Sequence, residues 1–222
     1  GIIHRDLKPS NVMVATYDGS PVPKVIDFGV AKALNPLVSQ NSLFTQLGQI
    51  VGTIEYMSPE QARSNPLDID TRSDIYSLGI LLYELLTGTT PLQSSEIKTL
   101  GWDEMVKKIR EEEAPTPSQR LKSLNTIDAV AISRRCEGKK LISLIAGELD
   151  WILIKALDKE RERRYQNATE LMEDIQRYLS GEEVSACPPS TYYRATKYLR
   201  RNRFTLFAGG LVTASLALGF AG

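Results

Sequence analysis

Short apolar runs open the chain and long periodic ones follow. Val12-Met13-Val14-Ala15 and Val22 to Ile26 have strand length, and Tyr17-Asp18-Gly19-Ser20-Pro21 between them is a cluster of turn formers. Together they predict a β-hairpin with a longer loop. Asp74 to Thr87 is apolar nearly all round, with Asp74 near its start and Gly88 just past its end, which predicts a buried helix capped at both ends. Glu96 to Glu113 reads as a more polar amphipathic helix ended by Ala114-Pro115-Thr116-Pro117. Gly147 to Leu157 and Ala168 to Leu179 give two further amphipathic helices. Residues 118–144 carry short apolar patches among Arg134, Arg135, Lys139 and Lys140, and read as a partly helical insertion with a solvated basic face. Val30 to Val51 has little periodicity and several polar residues, the mark of a functional or disordered loop. The fold class is therefore mainly α with a small β-hairpin.

Composition adds limits. The 222 residues are 42% hydrophobic and 24% charged, enough for one domain with a sizeable core and a short appendage. Lys and Arg number 27 against 27 Asp and Glu, so the balance argues against a nucleic-acid binder. Cys136 and Cys187 lie far apart without metal-ligand spacing, which fits a reducing compartment. The sequence starts at Gly1, has no signal peptide there, and reads as a fragment that begins inside a domain.

The tail is different in character. From Val184 onward there is no Asp or Glu, and Arg194, Lys197, Arg200, Arg201 and Arg203 crowd one stretch. Phe204 to Gly222 then runs 19 residues without a charge, close to the roughly 20 needed to cross a hydrocarbon core. The expected organisation is a domain over 1–181, a basic juxtamembrane linker over 182–203 and a transmembrane helix over 204–222. Basic residues just before a span place that side in the cytoplasm, so the expected location is a single-pass cell-membrane protein with its domain facing inward.

Candidate chemistry concentrates at His4-Arg5-Asp6-Leu7-Lys8-Pro9-Ser10-Asn11. Pro9 resists helix, which keeps the segment irregular. On such a path the Asp6 carboxylate and the Asn11 amide can face one cavity from two sides. Alone, an Asp and an Asn in a turn are most often Asx caps. Here three further segments stand beside them: Asp27-Phe28-Gly29 at the end of the second strand, Gly52 to Glu60 ending in Ser58-Pro59-Glu60, and Arg161-Glu162-Arg163-Arg164-Tyr165.

These motifs resemble the eukaryotic-type protein kinases, from the catalytic loop to the end of the C-terminal lobe. Gln61-Ala62 and the tail look most like bacterial membrane-anchored serine/threonine kinases. The resemblance implies a kinase-like C-terminal lobe without its N-terminal lobe, since no Gly-x-Gly-x-x-Gly stands anywhere in the chain. It implies ATP and Mg2+ as cofactors, with Asp6 as catalytic base, Lys8 neutralising phosphoryl charge, and Asn11 and Asp27 holding the metal. Thr53 would shape the substrate pocket. Phe28 would pack beside His4, Gly29 completes its tripeptide, and Asp74 would brace the catalytic loop, a plain N-cap being the other reading of that residue. Arg164, with Arg163 as an alternative, would pair with Glu60. Arg5 and Lys32 would bind a phosphate on the activation loop, at Thr45 first and Ser42 next. Ser58 stands where the family usually has Ala, and Glu160-Arg161 where it commonly has Asp-Pro.

The implied function is transfer of the ATP γ-phosphoryl to protein Ser or Thr hydroxyls in signalling, with self-association for autophosphorylation and the membrane as further partners. Two other readings compete. A pseudokinase-type binding module would not require Asp6, Lys8, Asn11 and Asp27 together. A small-molecule phosphotransferase would not require the Gly52 to Glu60 segment and its matching Arg164.

Overall fold

The structure, a computed structural model, describes residues 2–28, 54–63, 68–93, 100–125, 127–190, 192–193 and 196–197. Strands β1 (Val12–Tyr17) and β2 (Ser20–Val25) pair antiparallel, from Val12 opposite Val25 to Tyr17 opposite Ser20. The turn is shorter than the sequence suggested. Asp18 and Gly19 alone make it, with φ of 48° and 78°, because two positive-φ residues match the strand twist and let Ser20 and Pro21 enter the ladder. Pro21 and Pro23 lack an amide hydrogen, which β2 tolerates because among the described residues it pairs with β1 alone.

Seven α-helices follow among the described residues: α1 (Thr71–Thr87), α2 (Trp102–Glu111), α3 (Pro117–Ser123), α4 (Ile127–Ser133), α5 (Gly138–Ile145), α6 (Glu148–Ala156) and α7 (Ala168–Ser180). Helix α1 is the central post. It starts a turn earlier than the apolar run suggested: Asp70 is its N-cap, accepting from the Arg72 N–H at 2.8 Å, and Asp74 sits inside its first turn. At the other end Gly88 adopts φ 77° and closes the helix onto the Glu84 carbonyl. Ile75, Tyr76, Ile80 and Tyr83 of α1 are buried, the last three in one cluster with Leu153 and Leu157 around α6.

Gly79 permits that contact. A Cβ there would lie 3.0 Å from the Ala156 Cβ and 3.1 Å from Leu157 Cδ2.

The stretch 118–144, expected to be partly helical, forms most of three short helices and contributes to the core. Leu121, Ala131, Leu141 and Ile145, from α3, α4 and α5, belong to the main core with Ile75 and Ile152. The Ser118 N–H and hydroxyl bond the buried Asp150 of α6 at 2.9 and 2.6 Å. Helix α2 begins at Trp102, and the expected extension back to Glu96 lies outside the described residues.

Past α7, Gly181 takes φ 71° as its C-cap, and the chain folds back instead of leaving. Val184 is buried, and the fully buried Asp174 accepts from the N–H groups of Ser185 and Ala186. Tyr193 meets Trp151 edge-on at 5.4 Å, and Lys197 pairs with Glu148 at 2.8 Å. The start of the segment read as a linker is thus packed on α6 and α7. Among the described residues no helix is long and apolar enough to cross a membrane; the expected span, 204–222, lies outside them.

Replacing Gly79 by Val should force α1 and α6 apart. Denaturant unfolding should show a loss of roughly 1–3 kcal/mol, the usual range for overpacking a closed contact.

Candidate active site

The segment before β1 has no ladder to satisfy its backbone, and side chains do so instead. Asp74, projecting from α1, accepts the His4 N–H at Oδ2 (2.7 Å) and the Arg5 N–H at Oδ1 (2.9 Å). Carboxylate acceptors make short, strong bonds of this kind. They hold Arg5 at φ 66°, a left-handed conformation that a non-glycine residue keeps only when its surroundings impose it.

His4 is buried, and its ring connects three groups. Its Nδ1 accepts the Asp6 N–H at 3.3 Å, its Nε2 donates to the Ile26 carbonyl at 3.0 Å, and its ring lies 4.7 Å from the Phe28 ring. Those bonds select the Nε2–H tautomer.

Asp6, Lys8 and Asn11 come together. Lys8 Nζ is 2.9 Å from Asp6 Oδ2, and Asn11 Nδ2 donates to the Asp6 carbonyl at 2.8 Å and to Asp6 Oδ2 at 3.2 Å. The short 3-10 turn Pro9–Asn11 carries Asn11 back toward Asp6. With the Asn11 amide nitrogen committed, its Oδ1 accepts from nothing among the described residues. Asn11 also fixes the far strand, since its carbonyl accepts the Ile26 N–H at 2.9 Å. Asp27 follows directly, exposed, at φ 58°.

An amide oxygen and a carboxylate at the mouth of one hairpin are hard donors of the kind Mg2+ takes. Among the described residues no group of three or more His, Cys, Asp or Glu side chains could hold a metal.

Below the loop, Arg164 and Glu60 form a buried, two-pronged ion pair with contacts of 2.8 and 2.9 Å. The remaining guanidinium donors reach the carbonyls of Arg72, Asp158 and Lys159, so every N–H of Arg164 is used. Ser73 adds a 2.6 Å bond to Glu60. Burial pushes the Glu60 carboxyl upward, but Arg164 and the Ser73 hydroxyl outweigh it and hold the group below its usual range. Arg163, the alternative partner, is exposed.

The turn ahead of α1 ties the two regions together, a feature sequence reading passed over. Ser58 Oγ accepts the Gln61 N–H at 3.4 Å, and Gln61 Oε1 accepts the Ser58 N–H at 3.0 Å. The other end of the Gln61 amide donates to the Arg5 carbonyl at 2.8 Å. The spacing Ser-x-x-Gln, a capping-box signature, was the available signal. Gly29, Lys32, Ser42, Thr45 and Thr53 lie outside the described residues.

A sequence model described as the protein kinase domain matches residues 1–176. The chain belongs to the protein kinase family. It is 36% identical to the serine/threonine-protein kinase PknB of Mycobacterium leprae over 186 residues, covering 84% of this chain and 24% of that protein. PknB of Mycobacterium tuberculosis is 38% identical with the same coverage. The probable serine/threonine-protein kinase PknB of Corynebacterium glutamicum is 35% identical over 185 residues, 83% of this chain and 24% of that protein. This kinase-family chain thus spans about a quarter of the length of the curated relatives it matches.

Arg164→Met should destabilise the fold by about 3–5 kcal/mol, because Glu60 is left charged and buried. The double variant with Glu60→Leu should lose less than the two single losses added. The folded Glu60 pKa lies below the unfolded value of about 4.3, so its stabilisation is complete above about pH 5 and fades as pH falls through the acid range. Urea midpoints from pH 5 to 3 should therefore drop more steeply for the native chain than for Glu60→Gln.

Proposed function

We propose that this chain supplies the phosphotransfer half-site of a serine/threonine protein kinase. The observation that carries the reading is the Asp6, Lys8 and Asn11 cluster, set on a backbone that Asp74 holds from a core helix. Asp6 orients the Ser or Thr hydroxyl of a protein substrate and receives its proton. The hydroxyl oxygen forms a bond to the γ-phosphorus of ATP as the bond from that phosphorus to the β-bridging oxygen breaks, and ADP leaves. Lys8, beside Asp6, balances charge on the transferred group. Asn11 Oδ1 and the Asp27 carboxylate would hold Mg2+, which would neutralise charge on the phosphate oxygens when bound. Thr53 shapes the pocket for the acceptor residue. The printed names of the relatives support the Ser/Thr class.

Regulation follows from Arg5, next to Asp6, with Lys32 completing a phosphate pocket for Thr45 or, second, Ser42. Copies of the kinase would meet transiently for that autophosphorylation. Residues 204–222 form a membrane span on this reading, with the basic stretch before it on the cytoplasmic side. The 222 residues hold no glycine-rich loop, so by themselves they should transfer little or no phosphate.

Asp6→Asn in the full-length protein should lower peptide phosphorylation by about a hundredfold or more, the usual contribution of a positioned base, while ATP binding changes little. A filter assay with labelled ATP and calorimetry would check both. Phosphopeptide mapping of the active native protein should find Thr45 or Ser42 modified; modification of neither would remove the regulatory part.

A further inference from the structure

The peptide bond joining Arg5 to Asp6 sets where the Asp6 side chain stands, and its two polar atoms have separate anchors. The N–H of Asp6 goes to His4 Nδ1 at 3.3 Å, and the carbonyl of Arg5 receives Gln61 Nε2 at 2.8 Å. The first contact is long for a hydrogen bond, while the second is near the optimum for N–H to oxygen.

The Gln61 side chain cannot easily turn away. Its Oε1 accepts both the Ser58 N–H, at 3.0 Å, and the Ser58 hydroxyl, at 3.1 Å. Swapping the amide end for end would point N–H at N–H and oxygen at oxygen, so one orientation satisfies every partner. Pro59 follows Ser58 at the first position of the turn, where a missing N–H does no harm, and the Ala62 N–H closes the turn onto the Ser58 carbonyl at 3.1 Å. Ser58 is fully buried, and Glu60 between them is fixed by Arg164. The base of the Gln61 side chain is therefore as firmly placed as the core beneath it.

We infer that Gln61 is a positioning residue for phosphate transfer: its amide clamps the Arg5 carbonyl and so fixes Asp6 in register with the Ser58-Pro59-Glu60 turn. This rests on the kinase reading above. Ser58, replacing the Ala usual at that position, has a part in the clamp, because its hydroxyl holds the acceptor end of the same amide. The clamp joins two stretches 56 residues apart through one side chain. A displacement of the base of even about 1 Å can cost a hundredfold in rate, so a single bond at this place reaches the chemistry.

Two variants of the full-length protein separate the ends of the amide. Gln61→Glu keeps an acceptor for Ser58 and loses the donor to Arg5; Gln61→Met keeps the length and loses both. Each should lower kcat for a Ser/Thr peptide by about tenfold or more while KM for ATP stays within about twofold, since the Gln61 amide bonds Ser58 and Arg5 rather than Lys8, Asn11 or Asp27. Residue-resolved amide exchange gives the second readout. The Asp6 amide should exchange about tenfold or more faster in both variants, while those of His4 and Arg5, held by Asp74, keep their native rates. Native kcat in both variants would overturn the positioning role, whatever the exchange. Native exchange at Asp6 in both would overturn the clamp itself. A native protein that transfers no phosphate would instead sink the kinase reading, and the exchange measurement would still decide the clamp.

Discussion

Two consecutive backbone N–H groups, those of His4 and Arg5, end on the two oxygens of one carboxylate, Asp74. Everything that makes this a site follows from that pairing. An irregular loop brings no hydrogen-bond ladder of its own, and buried N–H groups must find acceptors. By giving them a carboxylate rooted in α1, the chain fastens its most irregular stretch to its most regular element. Arg5 can then stay in a left-handed conformation, and the direction that conformation imposes on the next residue places Asp6 beside Lys8 and Asn11.

Helix α1 can serve as that post because other segments are fastened to it as well. Arg164 reaches the Arg72 carbonyl at its first turn while holding Glu60, and Ser73 bonds the same carboxylate. Ser77 donates to the Tyr56 carbonyl at 2.8 Å, one turn further along. The His4 to Asn11 loop, the Ser58-Pro59-Glu60 segment and the turn that carries Arg164 thus converge on the N-terminal end of α1. Burying the Arg164 and Glu60 charges is expensive in itself, and a pair of this kind is weak ground for claiming stability. Its consequence here is positional: with all five guanidinium donors committed, Glu60, the first turn of α1 and the Asp158-Lys159 turn have one mutual arrangement.

Much of this was legible in order but not in contact. The motif residues, the hairpin and the helices 148–156 and 168–180 stand out from spacing and turn chemistry alone. The cap of α1 did not, because Asp70 and Asp74 both precede the apolar run, and which one caps depends on the other being drawn toward His4 and Arg5. Between 117 and 145 only partial helix was legible and no bounds were, since helices of seven or eight residues offer too few turns for a period to emerge. Their place in the core depends on Asp150, 32 residues away from the Ser118 it holds. Gln61 was visible as part of a motif, yet its grip on Arg5 is a tertiary contact that no local pattern encodes.

Helix α1, through Asp74, fixes the backbone of the His4 to Asn11 loop. Residue-resolved amide exchange on the full-length protein, native against Asp74→Ala, tests it most directly. Exchange at His4 and Arg5 should be slow in the native protein and fast at both in the variant, while the amides in the middle of α1 keep their protection. Unchanged, slow exchange at His4 and Arg5 in the variant would contradict it, because the loop would then be held by something other than the carboxylate.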